Sequence, residues 1–401
     1  MVNNEYIKLG NSPSIIRDLF AYGLEQKKKL GAENVFDYSL GNPSIPAPKE
    51  VNEAIKEILN TEDPVKVHGY SSAAGFDEAR EAVAADLSKR FGLDVKAKEI
   101  FLSCGAAPAL ISIIKALCIG HESEIMVIAP FFPEYRPFIE SNGAKCVIVP
   151  PDMKDFGINL EAAEKLVSKK TQGIIVNSPN NPSGAVYSRE VLKELADMLK
   201  RKSAEFGHPI YIIADEPYRE LVYDGVEVPF IPTIYNNTVV CYSYSKSLSL
   251  PGERIGYVYV PSFAEDSEDV YYAVAGAARI MGHVCPPTLI QKVIAACADK
   301  RPDLRAYDEN RRLLYESLCG MGYECVKPEG AFYLFVKAPN GNAEEFSEKA
   351  KLEYNLLVVP ATGFGCPGYL RLSYCVSKQT IINSLPAFRG MMEKHGSGII
   401  P

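Results

Sequence analysis

The chain's 401 residues are 47% hydrophobic and 23% charged, a globular composition longer than one compact core usually carries, so two domains are expected and a single small binding module is excluded. Its 43 lysines and arginines stand against 50 aspartates and glutamates, and the net charge of −7 leaves no overall positive field to hold nucleic acid or an anionic membrane.

The first 49 residues read as an irregular opening. The start, MVNNEYIKLGNSPSIIRDLF, has no basic head followed by an apolar run and a small-residue cleavage site. No apolar stretch approaches the ~20 residues needed to span a bilayer, so a soluble, cytoplasmic protein with reduced thiols is expected. Lys27-Lys28-Lys29 reads as an exposed helix face. Apolar residues at three and four spacing predict helices over residues 50–60 and 77–91. Short Ile- and Val-rich runs follow: EIFLS, EIMVIA, KCVIVP, GIIVN, IYIIAD, TVVCYSY and GYVYV, several separated by helical patterns such as SREVLKELADMLKRKSAEF. Near-continuous apolar strands alternating with helices predict an α/β domain with a mostly parallel sheet covered on both faces, over roughly residues 95–262. A long helical stretch over residues 289–322, the strand AFYLFVKA, a helix near EEFSEKAKLEYN, and the strands LLVVP and YLRLSYC predict a smaller α+β unit. The expected division is an N-terminal arm with part of the small domain over residues 1–45, a large domain over 46–285 and a small C-terminal domain over 286–401. The ten cysteines include no Cys-x-x-Cys pair, which argues against a metal site, and without tryptophan any aromatic platform is Phe or Tyr.

The richest segment runs from Ser243 to Tyr257, directly after TVVCYSY. A lysine at a strand end, flanked by hydroxyls and followed by an arginine beyond a Pro-Gly turn, suits an amine that forms an imine beside a bound phosphate. Lys246 is the expected amine, and Ser243, Ser245 and Arg254 the expected phosphate donors, with Arg254 supplying the planar fork. Asp215 ends the strand IYIIAD at the sheet edge where open α/β folds bind ligands. Its expected role is to keep the pyridine nitrogen of pyridoxal phosphate protonated, with Tyr218 expected to donate to the ring's phenolic oxygen. In the tight loop Asn177 to Gly184, Asn181 can offer an amide to the same oxygen. Gly105, Ala106 and Ala107 open a helix whose N–H groups can approach a phosphate, and Phe132 can stack on the ring. Gly363-Phe-Gly365-Cys-Pro-Gly368 spells a dinucleotide fingerprint, but a strand follows it instead of a helix, so nicotinamide binding is refused.

The ordered set Gly41-Asn-Pro43, Tyr70 with Gly75, Gly105 to Ala107, Phe132, Asn177 to Gly184, Asp215 to Tyr218, Ser243 to Tyr257 and Tyr369-Leu-Arg371 resembles the class I aminotransferases of pyridoxal phosphate fold type I, over nearly the whole chain. The resemblance implies a homodimer in which Tyr70 reaches the partner's phosphate. It makes Arg371 the reader of the substrate α-carboxylate, with Gly41 and Asn181 beside that substrate. Where the family's bacterial aspartate enzymes often carry a lysine, this chain has Ala106-Ala107. That leaves Arg279, near the place of a side-chain-binding arginine contributed by the partner subunit, for a distal carboxylate. The implied activity moves the amino group of an L-amino acid, aspartate favoured, to a 2-oxo acid such as 2-oxoglutarate, with Lys246 shuttling the α-proton. A β-carbon lyase or synthase on the same scaffold is the alternative. A cofactor-binding sensor module is the remote one, opposed by the short, weakly basic stretch before Gly41.

Overall fold

The computed structural model describes residues 2–11 and 14–396. The described residues fall into two units: Ile45–Asn180 with Ala185–Asp303, and the residues up to Ser44 with Asn181–Gly184 and those from Leu304 onward.

The larger unit is built on seven strands in the order Ile100–Ser103, Gly256–Tyr259, Thr238–Ser243, Tyr211–Asp215, Thr171–Asn177, Glu124–Ile128, Lys145–Val149. Neighbours are parallel except around Gly256–Tyr259, which runs antiparallel to both strands beside it. The reason these strands are apolar throughout is visible in their alternation. Ile174, Val176, Ile212, Ala214 and Val240 join one buried cluster, while Ile175, Ile213, Val239 and Cys241 join another. Helices Lys49–Thr61, Asp77–Phe91 and Arg189–Phe206 supply the first cluster, and Ala106–Leu117 and Ser267–Ile280 the second. Both faces are therefore dry, as a parallel sheet requires. Register then sets the edge: Asn177 lies opposite Asp215, Asp215 opposite Cys241, and Ser243 opposite Gly256.

Four expectations are corrected. The opening is helical, over Asn4–Asn11 and Ile15–Leu30, with Ser14 at the second helix's start and Gly31 at its end at φ 89°. Lys27 is half-buried and pairs with Asp37 at 3.3 Å, whereas Lys29 is exposed and pairs with Glu25 at 2.6 Å. The stretch 289–322 is two helices, Thr288–Cys297 and Arg305–Gly320, with Pro302 between them. The first of these buries Ile290, Val293, Ile294 and Cys297 in a core cluster of the larger unit. That burial places the division at Leu304 and not at residue 286.

In the smaller unit four antiparallel strands run in the order Val359–Pro360, Tyr369–Ser373, Tyr333–Lys337, Cys325–Val326. LLVVP is shared between two sheets, because Leu356–Leu357 pairs in parallel with Phe36–Asp37. The Gly363–Gly368 segment begins in the 3-10 turn Ala361–Phe364 and continues through Gly365 at φ 76° and Gly368 at φ 82° into the strand Tyr369–Ser373. Among the described residues no helix is long and apolar enough to cross a membrane.

Candidate active site

In the larger unit the site begins where parallel strands end. Asp215 shares its sheet face with Ile213 and the neighbouring Cys241, and that is the face against which Tyr135 is buried. The Tyr135 hydroxyl donates to Oδ2 of Asp215. Asn177, one strand over, sends its Nδ2 to the Asp215 carbonyl at 2.9 Å and to Oδ2 at 3.5 Å. Oδ1 of Asp215 is buried with no hydrogen-bond partner among the described residues. Burial pushes this carboxyl from its ordinary 3.8 up to about 7, with the Tyr135 hydroxyl pulling the other way. A carboxylate buried this way is costly unless a cation or a further donor completes it.

Tyr218, buried, follows three residues later in a loop held by ion pairs. Glu216 pairs with Arg219, and Glu220 takes both arms of Arg90 at 3.0 and 2.7 Å. Burial raises Glu220, but Arg90 and Arg219 outweigh it and hold the carboxyl below its ordinary range. The loop that carries Tyr218 is thus tied to the helix Asp77–Phe91, which bears Arg90.

A second group gathers around Gly105. Ser243 ends its strand, accepts from the Ser245 N–H at 3.2 Å, and its hydroxyl meets that of Ser245 at 2.8 Å. Lys246 sits half-buried in the same helical turn, Tyr244–Ser247. Arg254 is exposed and in the left-handed region at φ 54°, and Nη1 donates to the Pro251 carbonyl at 2.9 Å. Gly105 has φ 89°, a conformation that favours glycine, and a Cβ there would lie 2.8 Å from Nη2 of Arg254, whose exposed side chain would have to move aside. Ala106 and Ala107 begin the helix Ala106–Leu117, where the first N–H groups have no intrahelical acceptor. A guanidinium, two hydroxyls and a helix start are the donors an anion needs. Phe132, half-buried, meets the Tyr135 ring edge-on at 5.7 Å, next to Asp215.

The smaller unit carries the other set. Arg371, 2% exposed, lies on the strand Tyr369–Ser373 opposite Phe335. Its Nη1 donates to Oδ1 of Asn181 at 3.2 Å and its Nη2 to the Ser39 carbonyl. The guanidinium carbon lies 4.7 Å from the Tyr333 ring centre and 5.1 Å from that of Phe364, so two aromatic faces fix its plane. A side chain on Gly41 would run into the Tyr333 hydroxyl and the Phe332 ring. Gly41, Asn181 and Arg371 are therefore brought together. Tyr70, 88% exposed, and Arg279, exposed in the last turn of Ser267–Ile280, are not enclosed with either set. Sequence reasoning missed Tyr135, Tyr333, Phe364 and the Ser39 carbonyl. Tyr135 alone had a local signal, three residues after Phe132.

This arrangement has known counterparts. Residues 33–387 match the model of the family described as aminotransferase class I and II. An aromatic-amino-acid aminotransferase 2 from Thermococcus litoralis is 31% identical, covering 96% of each chain, and an aspartate aminotransferase from Pyrococcus abyssi is 31% identical, covering 92% of this chain and 93% of its own. The crystal structure of an amino transferase from Eubacterium rectale superposes with a TM-score of 0.96 at 51% identity, over 98% of this chain and 99% of that one. The fold is that of the fold type I transferases, α/β with a large, mostly parallel sheet. The chain belongs to the aminotransferase class I and II family, whose members are pyridoxal phosphate enzymes. It is an aminotransferase, which sets aside the lyase, synthase and sensor alternatives.

Proposed function

We propose that the chain transfers the amino group of an L-amino acid, aspartate favoured, to 2-oxoglutarate, using pyridoxal phosphate held by the larger unit. The observation that carries this is the buried Asp215 carboxyl, whose Oδ1 has no hydrogen-bond partner among the described residues: it fits a protonated ring nitrogen. The anion side fits too, since the Arg254 guanidinium lies beside the Gly105 turn at the start of the helix Ala106–Leu117. Ser243, Ser245, Arg254 and the Ala106 and Ala107 N–H groups would hold the phosphate, Tyr218 and the Asn181 amide the phenolic oxygen, and Phe132 one ring face. When bound, the cofactor supplies a carbonyl carbon and an electron-withdrawing ring.

Around it the chain's residues do the rest. Lys246 would be the amine that anchors the group and, freed when substrate takes its place, the base that moves the proton off the substrate's α-carbon. Arg371 reads the α-carboxylate with its planar fork, beside Gly41, its orientation set beforehand by Asn181, Ser39, Tyr333 and Phe364. Asp215 keeps its negative charge against the ring. In our reading the enzyme is a cytoplasmic homodimer, in which exposed Tyr70 and Arg279 serve the partner's phosphate and distal carboxylate. Aspartate is favoured because a relative of like length carries that activity. A second relative bears an aromatic one, which keeps aromatic donors as the second reading. The test is an amino-donor screen with 2-oxoglutarate: glutamate formed fastest from aspartate supports the proposal. Turnover confined to aromatic donors, or release of free ammonia, overturns it.

A further inference from the structure

Tyr135 is 1% exposed and is one of the largest fully buried side chains. A buried tyrosine hydroxyl needs a partner, and this one donates to Oδ2 of Asp215. Asn177 Nδ2 reaches the same oxygen, at 3.5 Å. Both donors therefore crowd one carboxylate oxygen and leave the other, Oδ1, buried and without a partner among the described residues. A ring that served packing alone could be Phe, since its edge-on contact with Phe132, at 5.7 Å and 86°, does not use the hydroxyl.

We infer that Tyr135 is a positioning residue for amino transfer: its hydroxyl pins Oδ2 of Asp215, so that Oδ1 faces the cofactor's ring nitrogen as a carboxylate and the proton stays on the nitrogen. This rests on the reading of Asp215 given above. The physical reason is that a donor stabilises the charged form of an acid, while burial opposes it. Around Asp215 burial prevails, and the Tyr135 hydroxyl is what pulls the carboxyl back toward ionisation. Removing that hydroxyl moves the balance toward a protonated Oδ1 and a bare ring nitrogen, which withdraws electrons less well when the α-proton leaves. The titratable groups beside the pair are Cys241, opposite Asp215 on the next strand, and Tyr218. Burial holds the Cys241 thiol well above its ordinary range, so it stays neutral and does not compete for the proton.

The experiment is Tyr135→Phe in the holoenzyme, prepared with cofactor labelled with nitrogen-15 in the ring. The expected result is a nitrogen resonance displaced toward the deprotonated form. The rate of the half-reaction should fall about 10- to 100-fold with KM for the amino acid little changed, the loss of one charge-assisted hydrogen bond acting on the chemical step. An unshifted resonance with a parental rate overturns the inference. So does a slow variant whose nitrogen signal is parental, since that would be a packing defect. A chain that fails to fold overturns it as well, by making the hydroxyl a requirement of the fold. Lys246→Ala separates this failure from failure of the wider reading: if that variant turns over normally the active site itself is misassigned, whereas an inactive Lys246→Ala beside a parental Tyr135→Phe removes only the role given to Tyr135.

Discussion

The ring-and-phosphate cradle of the larger unit and the arginine clamp of the smaller one solve opposite electrostatic problems. The cradle buries a carboxyl whose Oδ1 has no partner among the described residues and whose burial pushes it up to about 7. The clamp buries a guanidinium between two aromatic faces, oriented by an amide oxygen and a backbone carbonyl. One is set to receive a cation and the other an anion. The cradle is positioned by strand register, Asn177 beside Asp215 and Ser243 beside Gly256. In the clamp Tyr333 and Arg371 lie on paired strands, while Ser39, Asn181 and Phe364 come from segments outside those strands. On the proposed reading this is a division of labour, with the chemical step assigned to the cradle and recognition to the clamp.

The largest effect should come from Lys246. Lys246→Ala is expected to lose about 10²- to 10⁴-fold in turnover for every donor while still holding the cofactor without a covalent bond, checked by steady-state kinetics and by cofactor retained through gel filtration. Next is the folding cost of the cradle carboxyl in the cofactor-free chain. Because the folded chain keeps the Asp215 proton up to about pH 7 and the unfolded chain releases it near 3.8, the stability this group contributes is full below about pH 4 and lost as pH rises through 7. By about 1.4 kcal/mol per unit the loss is at most about 4 kcal/mol. Thermal melts of the cofactor-free chain between pH 4 and 8 should show it, and Asp215→Asn should flatten the slope. A parallel slope in both proteins would mean that the carboxyl is not the group responsible.

Clamp effects should be smaller and of another kind. Arg371→Lys keeps the charge but loses the planar fork, so kcat/KM should fall about 10- to 150-fold for all amino acids alike. A loss confined to acidic donors would reassign Arg371 to the side chain. Arg279→Ala should do the reverse, sparing alanine and lowering kcat/KM for aspartate and glutamate by about tenfold, from the loss of one charge-assisted contact. A uniform loss, or none, would remove Arg279 from recognition.

The same contrast explains what could be read from the chain alone. Strands dry on both faces are continuous apolar runs, and the ends of those runs are where Asn177, Asp215 and Ser243 stand, so most of the cradle was legible as local motifs. The helix Arg189–Phe206 was legible for a similar reason, with a Ser188 cap bonded to the Val191 N–H at 3.3 Å and Gly207 at φ 77°. Arg371 was found through its strand, but its aromatic walls were not, because Tyr333 reaches it across a strand pairing and Phe364 through packing, and local spacing marks neither. Tyr135 was missed because its partner is eighty residues away in sequence. The helix Thr288–Cys297 was given to the wrong unit because amphipathic spacing marks a buried face without saying against what it is buried. Of the helix Ile15–Leu30 only the face at Lys27 to Lys29 was read, because it buries little beyond Ile16, Leu19 and Gly23.

The most direct test of the division of labour is the half-reaction of Asp215→Asn, followed in a single turnover with aspartate. The substitution keeps the shape and removes the charge, so the account expects a folded protein that still binds cofactor and substrate but converts them many-fold more slowly, with KM near the parental value. An Asn variant as fast as the parent would contradict it, leaving Asp215 a buried turn residue and the cradle without its chemical role.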